Sequence, residues 1–121
     1  MAVIAATITE IKTYLDQTAH IIQWATMLNG DTGSPVEMPG STVRSVQVQG
    51  TFGAGGTMQL KGSNDSTNYI VLTDPQGNSI SKTAASIEAI EEITRLVRPE
   101  ITAGDGTTSL TVTLLVFRSK R

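Results

Sequence analysis

The sequence predicts an all-β protein: an antiparallel β-sandwich, jelly-roll or immunoglobulin-like, of about six to eight strands, preceded by an N-terminal arm. Three observations carry that expectation. From residue 43 onward, apolar and polar residues alternate with period two, the mark of strands with one wet face. Eighteen threonines and eleven glycines favour strands joined by tight turns. The aromatics are only Tyr14, Trp24, Phe52, Tyr69 and Phe117, so core bulk has to come from aliphatics, and from a partner subunit if the core falls short. A chain of 121 residues is one domain, able to bury roughly two-thirds of its unfolded surface. The expected division is an arm over 1–17 and a sandwich over 18–121.

In the arm, Ile4, Ile8, Ile11, Leu15 and then Ile22 follow a heptad-like spacing. Against a helix stand Thr7, Thr9, Thr13 and Thr18, poor helix formers on every turn. The arm is therefore left open between helix and strand. So apolar a segment is expected to dock on its own domain, on sister subunits or on a partner. Because the regular pattern runs without it, the sandwich is expected to keep its fold when residues 1–15 are removed.

Residues 18–28 read as a strand, and NGDTGSP (29–35) as a reversal. In VRSVQVQGTF, Val46, Val48 and Phe52 face one way, while Gln47, Gln49 and Thr51 face the other. In TMQLK, Met58 and Leu60 point in; Thr57, Gln59 and Lys61 point out. The intervening GAGG tolerates the positive φ of a tight reversal. GSNDSTN is a connection, YIVLT a strand and DPQGN a turn. SISKTAASIEAIEEI supports two readings. Ile87 and Ile90 at helical spacing, with Glu88, Glu91 and Glu92 for solvent, fit a helical turn; a strand ending in a loop fits as well. TRLVRPEITA leads through Gly104-Asp105-Gly106, a hairpin signal, into SLTVTLLVF. That last strand is apolar on both sides from Leu114 to Phe117, which suits a central strand or one covered by a partner.

A formal net charge of −2 offers no basic face for nucleic acid. The terminal RSKR reads as a solvated tail. With no cysteine, disulfides, thiolate metal sites and a cysteine nucleophile drop out. The start, MAVIAATITEIK, lacks the basic region and long apolar run of a signal peptide. No stretch nears the ~20 apolar residues of a spanning helix, so no membrane partner is expected and the protein is read as soluble.

Asp31-Thr32-Gly33 spells the catalytic signature of aspartic proteases, where two carboxylates share a proton. Here it follows Asn29-Gly30, a turn dipeptide, and no later segment supports the active-site loop. The expected role is a turn, in which Asp31→Asn leaves function intact. The glycines at 50, 53, 55 and 56 lack the Lys-Ser/Thr and helix of a phosphate cradle. Asn64, Asp65 and Asn68 could offer oxygens to calcium, but fit no calcium loop and suit a turn. His20, the lone histidine, reads as structural, and Trp24 as core. No catalytic, metal or cofactor residue is expected.

The spans NGDTGSPVEMPG with VRSVQVQGTFGAGGTMQLKGSNDSTNYIVLTDPQGN, and IEAIEEITRLVRPEITAGDGTTSLTVTL, resemble small virion proteins of tailed bacteriophages. Some members of that class are capsid decoration, or cement, proteins. The resemblance runs over roughly residues 24–116 and rests on strand-and-turn patterns rather than chemistry. It implies a non-enzymatic protein on the outer surface of the head, bound to the major capsid protein, with another virion component such as a tail or head-fibre base protein as the alternative. GSNDSTNYIVL followed by TRLVRPEIT is similar in order to discoidin-type jelly rolls, which implies shared architecture. A glycan-binding module, with Trp24 or Tyr69 as a stacking platform, is the alternative from another class. An aromatic-poor core, a doubly apolar strand and an apolar arm all favour burial against another chain, most simply in a homotrimer. The interface residues expected are Ile4, Ile8, Ile11, Leu15, Leu115 and Phe117.

Overall fold

Each run of alternating residues becomes a strand with its apolar side turned inward. The computed structural model describes residues 2–12, 18–38 and 40–117. In chain order its strands are β1 (Val3–Ile4), β2 (Thr7–Lys12), β3 (Thr18–Leu28), β4 (Thr32–Gly33), β5 (Val36–Glu37) and β6 (Val43–Thr51). They continue as β7 (Thr57–Ser63), β8 (Ile70–Val71), β9 (Ser81–Lys82), β10 (Ser86–Ala89), β11 (Leu96–Ala103) and β12 (Ser109–Phe117). Among the described residues there is no helix.

The strands form a β-sandwich. One sheet has five strands in the order β10-β6-β12-β3-β2, every pair antiparallel. The other has seven, β1-β4-β11-β7-β8, with β5 also on β11 and β9 also on β7. If β4 with β5 and β8 with β9 are each taken as one broken strand, the first strand from β3 onward neighbours the last. The second neighbours the second-last, in the opposite sheet. That order is a jelly roll's, which settles the topology that sequence periodicity left open.

Two turn signals lead somewhere other than expected. Gly53-Ala54-Gly55-Gly56 and Gly104-Asp105-Gly106 do not close hairpins: β6 and β7 lie in different sheets, and so do β11 and β12. A corner between sheets needs the same positive φ as a hairpin, seen here at Gly53 (71°) and Gly104 (157°). Asp105 ties the two corners together. Its carboxylate accepts the N–H groups of Ala54 and Thr107, both at 2.9 Å. A Cβ on Gly53 would stand 2.3 Å from Asp105 Oδ1, so the approach requires glycine.

Residues 79–93 hold no helical turn. Ile80 and Ile90 are buried while Ile87 is exposed, so the side chains that a helix would place together point opposite ways. The stretch instead supplies β9 to one sheet and β10 to the other, and Lys82 pairs with Glu88 at 2.9 Å across that edge.

The segment expected as an arm is likewise built in. β1 runs parallel to β4, and β2 pairs with β3 from Thr7↔Gln23 to Lys12↔Thr18. Ile4 packs against the core. The expectation that the sandwich stands without residues 1–15 therefore meets a strand contributed to each sheet.

The core is aliphatic around one large aromatic. Trp24, Met58, Leu60, Ile80, Ile101, Leu110 and Leu114 are fully buried, each worth about 1.5–3 kcal/mol where the side chain is a large aliphatic or Met. The doubly apolar appearance of β12 resolves into two sets. Leu110, Val112, Leu114 and Val116 point into the core, whereas Leu115 and Phe117 lie on the outer side.

Candidate functional site

Asp31 sits just past a tight turn. It is only 5 % exposed. Oδ2 accepts the N–H of Leu28 at 2.9 Å and Oδ1 that of Ala2 at 3.0 Å. Both oxygens thus serve the backbone: the residue closes the turn, as expected, and also pins the chain start. The glycine of the same triplet has a packing reason. A Cβ on Gly33 would come within 2.5 Å of Pro99 Cδ and 2.8 Å of Trp24 Cδ1.

The calcium candidates organise their own loop. Asp65 accepts the N–H groups of Thr67 and Asn68 at 2.9 and 2.8 Å, and the Asn68 side-chain amide at 2.9 Å. The Asn68 backbone N–H above all, then that of Thr67, holds this carboxyl well below the usual carboxylate range. Among the described residues no three His, Asp or Glu side chains stand close enough to hold a metal ion.

The two aromatic platforms differ in access. Trp24 has no exposed surface, and its indole N–H donates to the Ser34 carbonyl at 2.9 Å. Tyr69 is partly exposed, but the Arg98 guanidinium lies over its ring, 3.8 Å from the centroid.

Surface hollows open among the described residues. One, of about 260 Å³, lies where the sandwich gapes beside β2, over Ile8, His20, Ile22, Val36, Glu37 and Val116. Another, of about 240 Å³, is lined by Asn64, Asn68, Ile70, Glu92 and Thr94 among others. Burial pushes the Glu92 carboxyl up, but hydrogen bonds from the Thr73 hydroxyl and N–H, with one from its own backbone, together hold it below its ordinary value.

The expected interface residues divide into groups. Ile11, Leu115 and Phe117 share the outer side of the five-stranded sheet. Ile8 is on the other side of β2, opposite the buried Ile22, yet 56 % exposed in the gaping cleft. Ile4 packs on the core. Leu15 lies outside the described residues.

That outer side is the surface that sequence reading brought only half into view. Across four strands the register aligns Ile11, Ala19, Phe117 and Val43 in one row. The next row reads Thr9, Ile21, Leu115 and Ser45, and the third Thr7, Gln23, Thr113 and Gln47, extended by Ile87 on β10. Ala19 is 1 % exposed between its large neighbours, whereas Leu115 is 39 % and Ile87 68 % exposed. Gln23 Nε2 donates to Thr113 Oγ1 at 3.2 Å. None of these outward positions carries a charge. The usable signal was composition: β3, β6 and β12 contain only Arg44 and His20 as basic residues and no acid, and both of those point inward.

The opposite face of the sandwich is charged. Lys61 pairs with Glu100, Arg95 with Glu37, and Arg98 covers Tyr69, all on or beside the outer side of the seven-stranded sheet.

No family model and no curated protein matches the chain. Among solved structures it is similar to the carbohydrate-binding module CBM6cm-2 of Cellvibrio mixtus lichenase 5A, in complex with cellotriose. The two are 13% identical over 94% of this chain and 88% of that one, with a TM-score of 0.33.

Proposed function

We propose that the chain is a non-enzymatic structural protein that acts by surface contact, seated as a decoration protein on the outside of a tailed-phage head against the major capsid protein. The observation that supports this most is the division of charge between the two sheet faces. A sheet face that meets only water carries charged side chains, as the seven-stranded sheet does through Lys61, Arg98 and Glu100. The five-stranded sheet offers instead exposed aliphatics, glutamine and threonine with no charge. Depletion of charge with apolar enrichment is the composition of an interface centre. A cement protein needs multivalent attachment rather than chemistry, and a face that links copies of the chain serves it: weak contacts that each linked copy makes with the shell through its remaining surface add up to high avidity.

Mass spectrometry of purified particles of the phage encoding the chain tests this reading. A copy number close to that of the major capsid protein is expected. A few copies per particle would point to a tail or head-fibre base protein, and absence from particles would end the reading.

A second reading is a glycan-binding module, favoured by the hollow lined by Asn64, Asn68, Glu92 and Thr94, with Ile70 exposed at its side. Amide and carboxylate groups over an apolar ledge can bond sugar hydroxyls. Binding of the isolated chain on a glycan array, abolished by Asn68→Ala, is its signature.

A further inference from the structure

We infer that the outward face of the five-stranded sheet is covered by the same face of a second copy, in a closed two-fold pair. The inference rests on reading this face as a contact surface and goes on to name its occupant.

Symmetry makes the absence of charge informative. When a face packs on its own copy, groups near the two-fold axis meet themselves, so any charge there meets its like in a water-poor setting. Thr113, on the central strand β12, and its flanking Gln47 and Gln23 are what such an axis requires. Hydroxyl and amide groups both donate and accept, so each can bond its own symmetry mate. A charged shell or a charged ligand would be matched by fixed charges of opposite sign, and the described residues of this face offer none.

The layout suits the same operation. With the axis lying between the sheets and parallel to β12, β6 of one copy covers β3 of the other, and the ends of the strands stay in register. Along the axis Phe117 meets Phe117 and Leu115 meets Leu115, while beside it Ile21 comes over Ser45 and Gln47 meets Gln23. Val43 also comes over Ala19, the small residue between two large ones. Each row meets its own copy, so the apolar centres of the first two rows and the amide and hydroxyl groups of the third stay apart.

The area is adequate only if the whole face is used. Five strands about 4.8 Å apart and about 20 Å long span on the order of 500 Å² per copy, or about 1,000 Å² for the pair. That reaches the lower bound of a specific interface, and a partner covering half the face would fall short. One flat face serves one neighbour. A three-fold ring needs two different patches on each copy, so the inferred unit is a pair instead of the trimer expected from the sequence.

The test is sedimentation of the full chain at tens of micromolar. A dimer is expected. Thr113→Lys, which sets two like charges on the axis, should weaken association roughly a hundredfold. Gln47→Lys and Gln23→Glu should each weaken it alone, and equimolar mixing of the two variants should restore a heterodimer. Circular dichroism checks that each variant is folded. Lys61→Glu, on the charged face, should leave association unchanged. A monomer, or an oligomer indifferent to Thr113→Lys and to the mixing of the two glutamine variants, would overturn the inference. The outcomes are separable from those of the decoration reading: a monomeric chain abundant on particles would sink the pair alone, and a dimer absent from particles would sink decoration alone.

Discussion

Asp31 accepts the backbone N–H of Ala2 across a sequence separation of 29, at 3.0 Å, while its second oxygen takes that of Leu28 at 2.9 Å. An asparagine has one carbonyl oxygen, so Asp31→Asn would turn an NH₂ group towards one of these two donors. The sequence alone suggested a neutral exchange within a turn. Asp31 is 5 % exposed, so the amide group that replaces its carboxylate cannot turn away to water. The expected cost is about 1–3 kcal/mol, read as a lower denaturation midpoint in urea at unchanged slope. An unchanged midpoint would show that the carboxylate does no more than the turn requires.

Arg44 makes a different kind of tie. It is 3 % exposed on the inner side of β6, and burial lowers its pKa, although the guanidinium stays charged. Its nitrogens donate to the carbonyls of Ser41 (2.9 Å), Met38 (2.8 Å) and Thr94 (2.6 Å), fastening the loop before β6 to the segment before β11. Arg44→Ala strands these acceptors and is expected to cost about 3 kcal/mol or more. Arg44→Lys keeps the charge but loses the planar fork, and should fall between the two. Chemical denaturation of both variants checks the order.

Asp105 predicts a pH dependence. The Thr107 hydroxyl first, then the N–H groups of Ala54 and Thr107, hold its carboxyl down at about 2, against an ordinary 3.8. A depressed carboxyl adds stability above its unfolded pKa and loses it as pH falls through the folded one. The contribution is thus complete above about pH 4 and gone below about pH 2. Asp105→Asn should lower the thermal midpoint near neutral pH, and the gap to the parent should narrow through that acid window. A gap that stays constant with pH would show that the charge is not what joins the two corners.

These ties explain why some of the fold was legible in the sequence and some was not. Period-two alternation put Val46, Val48, Met58 and Leu60 inside, and they are buried. The same alternation is blind to which strand lies beside which. Thus the glycine linker around Gly53, correctly read as a positive-φ turn, and the Gly104-Asp105-Gly106 signal both lead to a corner between sheets instead of a hairpin. Helical spacing at Ile87 and Ile90 misled because Ile90 is drawn inward while Ile87 faces out. At the candidate surface, Leu115 and Phe117 stood out as apolar residues beyond what a half-buried strand needs. Gln23, Gln47 and Thr113 did not, because a neutral polar residue looks the same on a wet face and on a covered one. Only the register, which gathers uncharged positions from four strands into rows, shows that no charge interrupts them.

The chain start gives the last prediction. β2 covers one edge of β3 along six residue pairs, from Thr7↔Gln23 to Lys12↔Thr18. Beyond it, Ile4 packs on the core, its carbonyl accepts the N–H of Ser34 at 2.7 Å, and the Ala2 carbonyl accepts that of Thr32 at 2.9 Å. Deleting residues 1–12 would remove these acceptors and expose β3 as a bare edge, with Ile22 beneath it facing water. Open edges of this kind recruit other chains. Losing Ile4 and the cover over Ile22 alone withdraws part of the about 1.5–3 kcal/mol that each such side chain contributes when fully buried. The truncated chain is therefore expected to unfold at clearly lower temperature and to aggregate, rather than to persist as a folded domain that merely fails to assemble. Ile4→Ala should reproduce a fraction of the loss with every strand intact. Circular dichroism melting and light scattering of both variants decide the matter. A truncated chain that melts cooperatively near the parent midpoint, and stays monodisperse, would show that β1 and β2 are docked on the sandwich without supporting it.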